Sequence, residues 1–169
     1  MNNRISTLLA AAALLSFSGA AHADEAEFLQ SLEGAWAGDG SVKVRTDSKP
    51  VKVKCKFASD TTATSLALDG NCTGMLVFSR AVTADLKANG SNYSGSYTGA
   101  GTGAAGLTGS RSGNAINLAI RWNKDVNGDR EAVMTVKKSG DNGMVLTTTD
   151  VDPKTGKSVI TSQINLRRS

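Results

Sequence analysis

Apolar and polar residues alternate along most of the chain after Gly34, a pattern typical of β-strands with one buried face. The second run shows it plainly, because lysines separate Val51, Val53, Cys55 and Phe57. The apolar members of the other runs are Val42 and Val44; Leu66 and Leu68; Val82, Ala84 and Leu86; Tyr93 and Tyr97; Ile116, Leu118, Ile120 and Trp122; Ala132, Met134 and Val136; Met144 and Leu146; and Ile160, Ile164 and Leu166. The spacing predicts about ten strands.

Short turn sequences separate these runs and indicate tight hairpins. They include Asn89-Gly90, Gly113-Asn114 and Asp141-Asn142-Gly143, which favour the left-handed conformations that such turns need. Strands joined this closely are antiparallel neighbours. These runs predict an all-β fold. Its sheet is expected to close, because an open sheet of this size would leave two long edges unpaired. We expect an antiparallel meander β-barrel of about 8–10 strands, in a single domain over residues 24–169.

A short helix is predicted only before the first strand, over Asp24 to Leu32. Acidic residues in its first turn complement the helix dipole, and its apolar residues share one face. Trp36 follows at the start of the first strand, between small residues that include Gly38 and Gly40. We expect its indole to plug one end of the barrel, and the glycines to let the strand bend around it.

The N-terminus has the organisation of a secretory signal. A basic start at Arg4 precedes an apolar run from Leu8 to Leu15 and the small-residue stretch Ala21-His22-Ala23. The apolar run is too short for a membrane anchor, which needs about 18 apolar residues. Residues 1–23 are therefore predicted to be a cleaved signal peptide, with a mature periplasmic chain from Asp24.

Loss of that segment would remove the single histidine, His22. A chain without histidine has no Ser-His-Asp or Cys-His relay and no histidine ligand for zinc or haem. Asp125, Asn127 and Asp129 match only part of a calcium loop and are interpreted as a hairpin turn. Asp150 and Asp152 are interpreted as turn residues as well. We therefore predict a protein that is not an enzyme and holds no cofactor or metal.

The cysteines Cys55 and Cys72 lie in runs predicted to form neighbouring strands. In an oxidising compartment such thiols tend to pair. A redox-active pair normally has C-x-x-C spacing, which is absent here. The sequence predicts a structural disulfide across the two strands.

The predicted barrel interior mixes a few large side chains with many small ones. This composition is compatible with a ligand cavity and equally with a filled core. The residues predicted to line a cavity are Phe57, Leu86, Tyr93, Tyr97, Leu118, Trp122 and Met134. The glycine-rich stretch from Ser96 to Gly113 would form either a mobile portal over that cavity or sharply coiled strands.

A basic surface is predicted on the first two strands. Its members are Lys43, Arg45, Lys52, Lys54 and Lys56. Such a surface would attract an anionic envelope component or an acidic protein, although outward lysines also keep sheets soluble. No aromatic residues interleave with the lysines, and the net charge of +4 is modest, so nucleic acid is not an expected partner.

The combination of a short helix, Gly34-Ala35-Trp36 on the first strand and an arginine near the C-terminus resembles the calycin superfamily of lipocalins, fatty-acid-binding proteins and nitrobindin-like barrels. The resemblance implies that an arginine packs over the Trp36 indole, and strand parity selects Arg168. With Gly38, Gly40 and the cysteine pair, the chain also resembles exported bacterial barrels. Periplasmic metalloprotease inhibitors have a similar small barrel. Nitrobindins bind haem through a histidine, which the mature chain lacks.

These observations predict a non-enzymatic periplasmic protein that holds a small apolar or amphipathic molecule inside its barrel. The alternative is a protein-interaction module, of the protease-inhibitor or envelope-maintenance type, that acts through its surface. A membrane-spanning protein is not expected.

Overall fold

The computed structural model describes residues 19–74 and 78–169, and it confirms the predicted all-β barrel with one N-terminal helix. The elements are α1 (Gly19–Gln30), β1 (Gly34–Val42), β2 (Val51–Thr62), β3 (Ser65–Gly74), β4 (Phe78–Asn89), β5 (Asn92–Thr98), β6 (Ala105–Ser112), β7 (Ala115–Val126), β8 (Asp129–Ser139), β9 (Gly143–Val151) and β10 (Ser158–Arg168). Each strand pairs antiparallel with the next, and β10 pairs with β1 to close the barrel. None of the helices in these two ranges is long and apolar enough to cross a membrane.

Helix α1 differs from its predicted bounds of Asp24 to Leu32. It extends back to Gly19, since alanines before Asp24 favour helix. It ends at Gln30, where the Leu32 amide donates to the Leu29 carbonyl at 2.9 Å in a tightened last turn. Residues 1–18, most of the predicted signal peptide, lie outside the described ranges, so the signal peptide and the periplasmic location stay predictions.

Helix α1 and Trp36 close one end of the barrel, which we call the helix end. Leu29 and Leu32 are fully buried, and Trp36 is 1% exposed. The indole nitrogen of Trp36 donates to the Leu32 carbonyl at 3.0 Å. The guanidinium of Arg168 lies 4.5 Å from the centre of the indole and donates to the carbonyls of Ser31 and Glu33.

The first strand runs very close to β10 beside this plug. A Cβ atom on Gly38 would collide with the backbone carbonyl of Asn165, and one on Gly40 with that of Gln163. Only glycine permits backbones to approach so closely. The two glycines therefore shape the strand next to Trp36.

Two apolar positions differ from the alternation that the sequence predicts. Val44, expected to face inward with Val42, lies beyond the end of β1 and is 77% exposed. Ile160, expected to share a face with Ile164, is 51% exposed, because the pairing of β10 with β9 shifts between Ile160 and Ser162. A bulge of this kind moves a side chain to the opposite face of the sheet.

The predicted disulfide is confirmed. Cys55 on β2 and Cys72 on β3 are direct partners in the strand register, with their Cα atoms 4.1 Å apart. The bond joins two inward positions and restricts how far β2 and β3 can separate.

Candidate functional site

Inward residues are mostly buried at the helix end, whereas several toward the other end, which we call the open end, are only partly buried. Inward apolar side chains near the open end are only partly buried, although they pack against the core: Val42, Val53, Val82, Ala84, Tyr97 and Leu146. We call these six residues the cup. In a closed barrel, solvent reaches an inward side chain only through the interior. The cup is therefore a set of inward apolar side chains that keep partial contact with solvent.

The residues predicted to line a cavity divide between this cup and the packed core. Phe57, Leu86, Tyr93, Leu118, Trp122 and Met134 are all buried in one core cluster, whereas Tyr97 is partly exposed. Tyr93 belongs to the helix end, where its hydroxyl donates to the Glu25 carboxylate. Among the buried residues, Trp122 packs against the cup residue Tyr97.

Tyr97 and Trp122 form an aromatic pair at the open end. Their ring centres are 6.0 Å apart and the planes meet at 63°, an edge-to-face arrangement. The indole N–H of Trp122 is buried and has no hydrogen-bond acceptor among the described residues. Burial raises the pKa of the Tyr97 hydroxyl, and the positive charge of Arg80 offsets part of that increase.

Arg80 lies at the rim of the barrel, on an inward position of β4 paired with Cys72. Its guanidinium donates to the Gly99 carbonyl at 3.4 Å, and no carboxylate of the described residues lies within 4 Å of it. A Cβ atom on Gly99 would collide with the Tyr97 hydroxyl, and one on Gly101 with Arg80. The segment 99–104 between β5 and β6 thus rests directly on these two side chains.

The opposite side of the rim is held by polar contacts between loops. The Thr46 amide donates to the Asn127 side chain at 3.2 Å, and the Asn127 amide group donates to Asp150 at 2.6 Å. Asn127 has a positive φ of 56°, which asparagine tolerates in a tight turn. Lys154 bonds Asp47 at 2.9 Å. These contacts tie the β1–β2 loop to the β7–β8 and β9–β10 turns.

Both aspartates interpreted as turn residues are buried here. Asp150 is in fact the penultimate residue of β9, whereas Asp152 follows the strand and accepts hydrogen bonds from the backbone of Lys154 and Thr155. Burial alone would raise the pKa of Asp152, but the side chains of Thr46 and Thr155 together with the backbone bonds hold it below its ordinary value. Asp152 is therefore an anionic cap of the turn.

A buried charged cluster fastens α1 at the helix end. Glu25 is 3% exposed and accepts hydrogen bonds from Tyr93 and, at 2.9 Å, from Arg111. Arg111 also lies 4.8 Å from the centre of the Phe28 ring. Burial, and then the hydrogen bond to Glu25, raise the pKa of Tyr93. Sequence reasoning missed this cluster, because alternation shows only that Arg111 has inward parity on its strand.

The predicted basic residues separate into two groups. Lys52, Lys54 and Lys56 point outward from β2 and form no ion pair with any described residue; we call them the lysine stripe. Beside the stripe are two shallow surface depressions of about 480 and 650 Å³. Lys43 and Arg45 instead lie in the β1–β2 loop, where Arg45 is 3.6 Å from Asp47.

Comparison with known proteins supports the fold alone. No protein-family model and no curated protein sequence matches the chain. Among solved structures, the chain is similar to the crystal structure of Rv2717c from M. tuberculosis, with a TM-score of 0.60 and 15% sequence identity. The match covers 85% of this chain and 96% of the other.

Proposed function

We propose that this protein binds a small apolar or amphipathic molecule inside its barrel, without chemical conversion. The observation that carries the proposal is the cup. Its inward apolar side chains remain partly solvated in a closed barrel, whereas their counterparts at the helix end are buried. Burying exposed apolar surface is favourable by about 25 cal/mol per Å², and an apolar ligand would supply that burial.

The rim of the barrel supports the same proposal. Hydrogen bonds hold one side of the rim in place, while the other side carries the glycine-rich segment 99–104. Glycine-rich backbone has more conformational freedom than other backbone. A ligand would therefore enter beside Tyr97 and Arg80.

We place the protein in the periplasm as part of this proposal. The Cys55–Cys72 disulfide supports an oxidising compartment. The N-terminal pattern supports export.

Filling the cup tests the proposal. Ala84 is an inward cup residue, and Ala81 on the same strand is exposed on the outer face. Native mass spectrometry of protein purified from its own cells should show a retained small molecule in the wild type and in Ala81→Trp, but not in Ala84→Trp. Retention by all three proteins, or a wild type that neither retains nor binds any apolar probe, would contradict the proposal.

The lysine stripe favours a second candidate function, a surface that binds an anionic envelope component. The three lysines form no ion pair with a described residue, and Lys54 and Lys56 border the depressions. Reversing Lys52, Lys54 and Lys56 to Glu should abolish binding to isolated envelope fractions. Reversing three other exposed lysines, Lys87, Lys124 and Lys137, gives the same change in net charge. Equal loss in both variants would show a general charge effect and remove this candidate.

A further inference from the structure

We propose that the outer surface of the barrel over β1 and β2 binds an acidic polysaccharide. The site consists of the two depressions described above, and we call it the outer groove; its outward side chains come from Ala35, Ala37, Asp39, Lys54, Lys56, Ala58, Asn71 and Thr73. This inference rests on the second candidate function, the anion-binding surface, and adds the chemical class of its partner. It does not depend on the barrel interior.

The first support is the shape of the outer groove. Ala37 and Lys56 line both depressions, so the volumes of about 480 and 650 Å³ form one continuous groove. The groove is deep over β1 because Ala35 and Ala37 have short side chains. A linear molecule can lie along it, whereas a flat lipid bilayer would contact only its walls.

The second support is the positive charge beside the groove. Ala37 pairs in register with Lys56 on one side and with Arg167 on the other, so the backbones that carry these two cations lie about 10 Å apart. Lys54, Lys56 and Arg167 form no ion pair within the described part of the chain. Such cations bind carboxylates through charge-assisted hydrogen bonds. Charge complementarity therefore selects an anionic partner.

The third support is an acidic side chain in the same groove. Asp39 is exposed and lies opposite Lys54 in the strand register, but the two do not form an ion pair. Its carboxylate would repel a partner that carries only negative groups, whereas it accepts hydrogen bonds from hydroxyls. Asn71 and Thr73 line the groove beside the lysines and also bond hydroxyls. The groove thus matches a chain with both carboxylates and hydroxyls.

Closure of the barrel argues against an acidic peptide as the partner. An extended peptide usually satisfies its backbone groups by pairing with a free strand edge. Strand β1 is paired on both sides, with β2 and β10, and so offers no edge. Side chains alone face the groove, which suits sugar hydroxyls and leaves the backbone groups of a peptide without strand partners.

The test compares polymers that share either charge or sugar backbone. Calorimetric titration of the purified full chain, at one salt concentration, would use oligogalacturonate, its neutral methyl ester, oligoglutamate of equal charge and phosphatidylglycerol vesicles. We expect oligogalacturonate to bind the wild type about tenfold more tightly than either the methyl ester or oligoglutamate, consistent with one charge-assisted hydrogen bond. Binding to the vesicles should be weaker than binding to oligogalacturonate.

A variant that fills the groove locates the site. Ala37→Ile fills the floor that both depressions share and leaves the charge unchanged, so it should weaken oligogalacturonate binding about tenfold. Ala119→Ile is the matched control, at an exposed outward position of β7, and should change nothing. Circular dichroism would verify that both variants are folded.

A second variant separates a polysaccharide from a simple polyanion. Asp39→Ala removes a negative charge, so it should strengthen the binding of oligoglutamate slightly. The same change should weaken oligogalacturonate binding, because hydrogen bonds from hydroxyls to a carboxylate contribute more than repulsion between exposed charges. Stronger binding of both polymers to this variant would overturn the inference.

The remaining outcomes distinguish the inference from the function on which it rests. Equal affinity for oligogalacturonate and oligoglutamate, preference for the vesicles, or unchanged oligogalacturonate binding in Ala37→Ile would overturn the inference. The second candidate function would still stand if envelope binding is lost on reversal of the lysine stripe. If envelope binding survives that reversal and oligogalacturonate does not bind, both fail.

Discussion

Arg168 and Trp36 make the contact that seals the helix end. A guanidinium over an indole face gains a cation–π attraction. The same arginine donates to carbonyls that follow the last turn of α1, and carbonyls at a helix C-terminus otherwise lack partners. One side chain thus connects the last strand, the first strand and the helix.

Replacing Arg168 should therefore destabilise the barrel. We expect Arg168→Leu to lower the free energy of unfolding by about 1–2 kcal/mol, because both the cation–π contact and the carbonyl hydrogen bonds are lost. Arg167→Leu, at the neighbouring outward position, should change it by about 0.5 kcal/mol or less. Urea denaturation measures both variants. A similar loss in the two would show that the ring contact contributes little.

Tyr93 makes the free energy of unfolding depend on pH in the alkaline range. Its pKa is raised in the folded state above the ordinary value of 10.0, by burial first and then by the Glu25 carboxylate. Above about pH 10 the unfolded chain loses this proton and the folded chain keeps it, so stability falls as pH rises. Below that pH the contribution is fully present.

The corresponding measurement compares stability across pH 8–11 in the wild type and in Tyr93→Phe, with tyrosinate absorbance as a second readout. The wild type should lose more stability than Tyr93→Phe as pH rises above about 10, because lysine titration is common to both proteins. Parallel pH profiles would indicate that Tyr93 ionises normally in the folded state.

Helix α1 acts as a separate element that the barrel must hold in place. Its apolar face supplies burial, with Leu29 at 0% exposure. Its orientation is set by Glu25, which bonds Arg111 on β6 and Tyr93 on β5. A buried carboxylate is costly without partners, so the helix is bound where these partners meet it.

A double-mutant cycle measures this attachment. Glu25→Ala and Arg111→Ala should show a coupling energy of about 1–3 kcal/mol, because the pair is largely desolvated. The more exposed Asp24, which also contacts Arg111, should couple by about 0.2–1 kcal/mol. Equal coupling for Asp24 and Glu25 would contradict a specific role for the buried carboxylate.

At the scale of the whole molecule, the sequence predicted closure and a plug at one end, but not the contacts behind the asymmetry of the two ends. Alternation and turn residues are local signals, and they were sufficient for the ten strands and the paired cysteines. Contacts that depend on how separate segments meet in space have no local signal. Glu25 with Arg111, and Arg80 with segment 99–104, are contacts of that kind.

That asymmetry predicts unequal protection of the two ends in hydrogen exchange. Amides near the buried Ile116 and Leu118 should exchange only on global unfolding, whereas amides of β4 and β5 beside the cup should exchange through local opening, and those of segment 99–104 fastest. Ala84→Trp fills the cup, so it should slow exchange at the open end and leave the helix end unchanged. Uniform protection along the strands would instead mean that the cup is packed as tightly as the core, and it would remove the physical basis for a ligand site there.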